Sequence, residues 1–194
     1  MTTPPAPTPQ RGRAINETPE LAALATALLR TPTALAELTV AEARCVVDHM
    51  RVVGFAAGAT ILREGDRSNT HYMLLVLTGD VAVEKAEATP NEPLSVSVLG
   101  PGNVIGEMGL LDGAPRSMTC RAVTPVRAAG LTRDALQSLI DDNPKVGAKL
   151  MIAISQRMAE RLRAAVDQLV FYAQLTATMH AELEALKGAR RSGR

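Results

Sequence analysis

Tyr72-Met73-Leu74-Leu75-Val76-Leu77-Thr78-Gly79-Asp80-Val81-Ala82-Val83-Glu84 holds two short apolar runs joined at Thr78-Gly79-Asp80, and its reading decides the fold. Gly and Asp at the junction suit a reversal of direction between two strands. Runs of the same kind lie on both sides: Thr60-Ile61-Leu62 with a turn at Gly65-Asp66, Leu94-Ser95-Val96-Ser97-Val98-Leu99, and Met118 through Leu131. Short strands at this spacing predict an antiparallel β-barrel or sandwich for the middle of the chain. Polar Glu87 to Glu92, which contains Pro90, is expected to form a hairpin loop between two of them.

The flanks have helical periodicity. Thr18 before Pro19 and Glu20 reads as a helix start, since Thr can cap free amides and Pro fits the first turn; Leu21, Leu24, Leu28 and Leu29 give its apolar stripe. Thr39 with Glu42 three residues on is a capping-box pair, and its helix is expected to run toward Met50 before Gly54 ends it. Thr132 can cap a further helix through Ile140. After Asn143-Pro144 the remainder reads as one long helix, with Met158, Leu162, Ala165, Leu169, Tyr172, Thr176, Met179, Leu183 and Leu186 forming a heptad seam. Residues 144–187 span roughly 66 Å at 1.5 Å per residue, which is long for a helix with nothing to cover its seam. The distal half is therefore expected to form a parallel dimer, with Thr176 a candidate register-setting position.

The expected class is mainly β with flanking helices (α+β): an antiparallel jelly-roll-like β-barrel, short N-terminal helices and a long C-terminal dimerisation helix. The expected divisions are a disordered Pro- and Thr-rich tail at 1–17, a barrel domain with its N-terminal helices at 18–143, the long helix at 144–187, and a basic flexible tail at 188–194.

Bulk properties remove several functions. A net charge of +1 gives no general electrostatic case for nucleic acid. With Phe55, Tyr72, Phe171 and Tyr172 as the aromatic residues, stacking platforms for single strands are nearly absent. Cys45 and Cys120 lack the paired spacing of a metal site or disulfide framework and read as buried thiols. His49, His71 and His180 sit in separate elements, so neither metal nor haem is expected. No nucleophile elbow or triad stands out, and no enzyme is expected. No run approaches a membrane span and Met1 to Gln10 lacks a signal-peptide core, so the expected location is the cytoplasm.

Chemistry concentrates in Gly106-Glu107-Met108-Gly109-Leu110-Leu111-Asp112-Gly113-Ala114-Pro115-Arg116-Ser117. One carboxylate and one guanidinium stand nine residues apart around a short helical turn. Such a loop can fold around a small anion, Arg116 meeting a phosphate and Glu107 meeting hydroxyls. A surface ion pair is the plainer reading of Arg and Glu in one loop, but the surrounding glycines and the ordered β-blocks upstream favour a cradle.

Those blocks carry a resemblance. Ala57-Gly58 with Ile61-Leu62-Arg63-Glu64-Gly65-Asp66, Tyr72 to Leu77 before Gly79, Leu99 through Glu107, and Pro115-Arg116-Ser117 together resemble the cyclic-nucleotide-binding domain of kinase regulatory subunits, nucleotide-gated channels and the bacterial catabolite activator. The resemblance covers about residues 35–165. It implies a cyclic mononucleotide as ligand, cyclic AMP or cyclic GMP with cyclic AMP the favoured of the two, and no further cofactor. Arg116 would grip the cyclic phosphate through two hydrogen bonds, a geometry Lys cannot reproduce. Glu107 would accept from the ribose 2′-hydroxyl, Gly106 would let the backbone approach the sugar, and amides near Met108 would add donors. Ser117 can serve the phosphate or, in the family, a guanine amino group. Met118 departs from the small residue often found there and can fill space near the base. Where the activator's long helix carries small hydroxyl residues, this chain has Ala164, Ala165 and Val166; Arg161 and Gln168 are the candidates for a purine edge.

After the long helix, Gly188 to Arg194 offers no helix-turn-helix, so no direct DNA binding is expected and output passes through an unidentified protein partner. The expected function is a dimeric receptor signalling through its C-terminal helix. The alternatives are a ligand-free dimeric scaffold with a vestigial pocket, or a DNA-associated regulator acting through another chain. On the leading reading, Arg116→Ala is expected to leave the fold intact and to cost roughly 2–5 kcal/mol of affinity.

Overall fold

The computed structural model describes residues 9, 12–35, 37–85 and 94–192. The chain divides into two compact units, Met1–Ile154 and Ser155–Arg194. In chain order the first holds β1 (Arg13–Ala14), a 3-10 turn (Ile15–Glu17), α1 (Pro19–Leu29), α2 (Val40–Asp48), β2 (Arg51–Phe55), β3 (Thr60–Leu62), β4 (Tyr72–Thr78), β5 (Val81–Lys85), β6 (Leu94–Leu99), β7 (Val104–Ile105), α3 (Glu107–Asp112), β8 (Thr119–Ala122), β9 (Val126–Thr132), α4 (Arg133–Asp142) and the first turns of α5 (Pro144–Ser192).

Every strand pair is antiparallel, in two sheets of order β1-β2-β9-β4-β7 and β3-β8-β5-β6. The class is α+β as expected, but the sheets do not close into a barrel. β1 and β7 have two residues each and β3 has three, too few to carry a hydrogen-bond ladder around a closed cylinder. Val53, Phe55, Leu74, Val76 and Ile105 of the first sheet share one core with Ile61, Leu62, Val81, Cys120 and Ala122 of the second. On the other face of β4, Met73, Leu75 and Leu77 are equally buried, and α1 packs against this strand. A strand covered on both faces reads as an unbroken apolar run, which explains Tyr72 to Leu77.

The caps fall partly as anticipated. Thr39 and Glu42 complete a reciprocal capping box on α2, and Thr132 accepts from the amide of Ala135 at the start of α4. Thr18 precedes α1 without a side-chain cap, leaving Pro19 as the signal that holds there. Gly54 does not end a helix: α2 stops at Asp48, and Gly54 lies within β2, paired with Arg127. Cys120 is buried as expected, whereas Cys45, on the side of α2, is half-buried.

Both termini differ from expectation. Residues 1–8, 10 and 11 of the presumed tail lie outside the described residues, as does the Glu87 to Glu92 loop. Within the segment assigned to that tail, Gly12 to Glu17 are part of the fold. Arg13 and Ala14 pair with β2, and Ile15 is fully buried with its amide donating to the carbonyl of Met50, a combination of ladder bonds and apolar burial that offsets the ordering entropy. At the other end, α5 continues to Ser192 through the basic segment assigned to a flexible tail. Ala and Arg favour helix, and one Gly costs only about 1 kcal/mol. Among the described residues no helix is long and apolar enough to cross a membrane.

The second unit is the remainder of α5. Along the heptad seam Leu162 (66%), Leu169 (68%), Tyr172 (60%) and Met179 (56%) are exposed. The Thr176 hydroxyl donates to the carbonyl of Tyr172 on its own helix.

Candidate functional site

The site is assembled where β7 hands the chain to α3. Gly106 makes that join at φ +78°, a left-handed conformation that glycine adopts at little cost. Space demands glycine as well, because a Cβ there would stand 2.7 Å from Arg116 Nη1 and 3.2 Å from the carbonyl oxygen of Tyr72. Immediately after it, Glu107 opens α3 and is buried, while Met108 is exposed.

From the other side comes the segment before β8. The amide of Gly65 donates to the carbonyl of Arg116 at 2.8 Å, and the amide of Arg116 donates to that of Asp66 at 3.1 Å. This two-bond zipper aims the Arg116 side chain inward. Its Nε donates to Asn69 O at 3.0 Å, Nη2 to Asn69 O at 2.6 Å and Tyr72 O at 3.0 Å, and Nη1 to Gly106 O at 2.8 Å. The guanidinium also lies over the Tyr72 ring, 4.6 Å from its centroid. Four of its five N–H bonds are thus directed at backbone carbonyls.

Glu107 and Arg116 are each only 5% exposed. Buried charge is expensive unless hydrogen-bonded, and the three carbonyls with the ring face meet that condition for Arg116. Burial pushes the Arg116 pKa down from its ordinary value and raises that of the Tyr72 phenol.

Ser117 is exposed, and its hydroxyl donates to Met108 Sδ at 3.8 Å across the mouth. Its carbonyl accepts from Lys85 Nζ at 3.1 Å, and Lys85 also pairs with Glu64. Met118 is half-buried just before β8. The first unit therefore brings Gly106, Glu107, Met108, Arg116 and Ser117 together, with Met118 adjoining. Arg161 stands on α5 in the second unit and is half-buried.

Sequence reading missed Asn69, Tyr72 and Lys85. Asn69 and Tyr72 act through main-chain oxygens, which leave no mark in residue type, although the Arg63-Glu64-Gly65-Asp66 block does signal the turn that zips to Arg116. Lys85 ends β5, which pairs with β8 through Glu84 and Thr119, so its place beside Ser117 follows only once the sheet order is known.

Comparison with known proteins bears on the family. The family model for the cyclic nucleotide-binding domain matches residues 52–143. A crystal structure of a cyclic nucleotide-binding domain from Methylobacillus flagellatus superposes with a TM-score of 0.68 at 31% identity, covering 82% of this chain and 86% of that one. The CRP-like cAMP-activated global transcriptional regulator of Mycobacterium tuberculosis is 29% identical over 127 residues, 66% of this chain and 52% of that protein. A cyclic nucleotide-gated potassium channel of Mesorhizobium japonicum is 38% identical over 101 residues, 52% of this chain and 26% of the channel. The chain thus spans about half or less of the length of these two curated relatives.

Proposed function

The chain belongs to the cyclic nucleotide-binding domain family, and from that premise we propose that it is a receptor for a cyclic mononucleotide, cyclic AMP in preference to cyclic GMP. On this reading it works in the cytoplasm as a dimer that reports ligand binding through α5 to a protein partner. One observation carries it: a carboxylate and a guanidinium, both buried, flank Gly106 at the start of α3. Glu107 supplies acceptors for the ribose hydroxyl. Arg116 keeps one Nη1 N–H beyond its carbonyl bonds and offers its charge to the phosphate. Ser117, at the mouth beside Met108, adds a hydroxyl donor. The mycobacterial relative, described as cAMP-activated, supports adenine as the preferred base. The exposed seam of α5 supports the dimer, and no catalytic role is proposed.

The deciding experiment is thermal unfolding of the full chain with cyclic AMP, cyclic GMP and a non-cyclic nucleotide, followed by calorimetry. A ligand confined to the native state stabilises it by about 2.7 kcal/mol at a hundred times Kd. Cyclic AMP is expected to raise the midpoint most. Glu107→Gln is expected to bind it about tenfold more weakly, a loss of roughly 1.4 kcal/mol. No shift with either cyclic nucleotide at millimolar concentration would leave the constitutive scaffold as the better account.

A further inference from the structure

The proposed ligand lies against α3, and the structure holds that helix at its far end through a residue outside the cradle. We infer that Arg133 is a positioning residue that clamps the C-terminal end of α3 to the head of α4, so that a ligand-linked shift of α3 moves α4. This rests on the proposed nucleotide site for its ligand, but the clamp itself is visible without one.

Arg133 is the first residue of α4, and its own amide donates to the carbonyl of His71 at 2.9 Å, fixing it beside the entry to β4. From there the half-buried side chain reaches back to α3. Nε and Nη2 both donate to Leu110 O, at 3.0 and 2.7 Å, and Nη2 reaches Gly109 O at 3.4 Å. A helix leaves its last carbonyls without intrahelical partners, and a cation there also opposes the partial negative charge of the helix end. Gly113 ends α3 at φ +71°, and its amide takes Gly109 O at 3.0 Å. A Cβ on Gly113 would stand 3.5 Å from both Nη atoms of Arg133, an ordinary contact, so the left-handed backbone rather than crowding asks for glycine there.

Two guanidinium groups therefore hold this six-residue helix, Arg116 through Gly106 O at its start and Arg133 through Leu110 O near its end. Arg116 belongs to the cradle. Arg133 belongs to α4, which leads through Asn143 into α5. Displacement at the ligand end of α3 thereby has a polar connection to the output side of the fold.

The test is amide hydrogen exchange on the full chain as wild type, Arg133→Ala and Arg133→Lys. Without ligand, Arg133→Ala is expected to speed exchange in residues 107–113 about tenfold, roughly 1.4 kcal/mol of local opening, with β4 and β9 unchanged. Lys can supply one donor but no fork, so Arg133→Lys should restore part of that protection. With cyclic AMP, wild type is expected to change protection in 133–142, and Arg133→Ala should lose that response. Unchanged exchange in α3, an increase spread evenly over β4 and β9, or an α4 response surviving in Arg133→Ala would each overturn the clamp. If wild type binds no cyclic nucleotide, the receptor reading falls, and the ligand-free arm still decides whether Arg133 positions α3.

Discussion

The interior around α3 and the distal part of α5 invert the usual distribution of residues in opposite directions. At α3 the chain buries a carboxylate and a guanidinium; along α5 it exposes Leu162, Leu169, Phe171 and Tyr172. The first inversion has a visible resolution for Arg116, since backbone carbonyls surround the charge. The second has no such resolution among the described residues, and apolar side chains in a row on one helix gain free energy when covered. A buried charge thus reports how the fold holds itself, and the exposed apolar seam is what motivates the proposed dimer.

The sharpest way to break this contrast is Arg116→Ala. It would take the guanidinium from the carbonyls of Asn69, Tyr72 and Gly106, the Tyr72 bond being buried and the others partly so, and truncating a buried, hydrogen-bonded charge is expected to cost about 3–5 kcal/mol. This departs from the sequence-based expectation of an intact fold, because Arg116 bonds the carbonyls of Asn69 and Tyr72 at the entry to β4 as well as being the proposed phosphate partner. Denaturant unfolding measures it, and a loss below about 1 kcal/mol would mean that the carbonyls are satisfied otherwise. Gly109→Ala probes the same interior more gently. The added Cβ would stand 2.8 Å from Thr70 O and 2.9 Å from Arg116 Nη1. Alanine gains about 1 kcal/mol of helix propensity, but overpacking against main chain typically costs 1–3. A net loss of roughly 1–2 kcal/mol is expected, and a stabilised variant would show α3 to be loosely held.

What was legible follows the same division. Strand positions were readable because burial on one or both faces leaves apolar runs, as in β3 and β4, while β6 was readable from its alternation of Ser with Val and Leu; all three begin where expected. That Gly106, Glu107 and Arg116 belong to one candidate site was readable because each is marked by residue type, and the structure brings Gly106 and Arg116 into contact. Opaque features depend on main-chain atoms or on order in space: the carbonyls that receive Arg116, Lys85 brought across from β5, and β7, whose two residues are too few to show a period. The ordered stretch from Arg13 was hidden for a similar reason. Its pairing partner, β2, lies more than thirty residues away in sequence, and only Ile15 carries an apolar signal.

On the other side of the comparison, Leu169→Asp is expected to leave the first unit within about 0.5 kcal/mol of wild type, because the residue is exposed and lies outside that unit. Its effect belongs to assembly. On the proposed dimer, sedimentation should show wild type as a dimer and the variant as a monomer, with thermal unfolding and cyclic AMP binding measured alongside. A chain truncated before Leu169 should behave likewise. A variant as tightly dimeric as wild type would remove the distal seam as the interface.

The smallest effect is expected where charge is neither buried nor apolar surface exposed, at the ion pair that ties the root of α5 to α2. Lys149 Nζ stands 2.6 Å from Glu42 Oε1, and Glu42 also accepts the amide of Thr39 at 2.9 Å in the capping box. The hydrogen bond from Lys149, and next that from Thr39, pull the Glu42 pKa from its ordinary 4.5 to about 2. A carboxylate with a lowered folded-state pKa stabilises fully above its unfolded value, and this contribution is lost as pH falls from about 4.5 toward 2. Glu42→Gln should flatten that part of the acid-unfolding profile and leave the profile above pH 5 parallel to wild type. Because the Lys149 side chain is half exposed, salt should shrink the difference, as screening does for surface pairs and does far less for buried ones. Equal salt sensitivity in Glu42→Gln and Arg116→Lys would erase the distinction between the two kinds of charge, since Arg116 is only 5% exposed and is held by backbone carbonyls rather than by a charged surface partner.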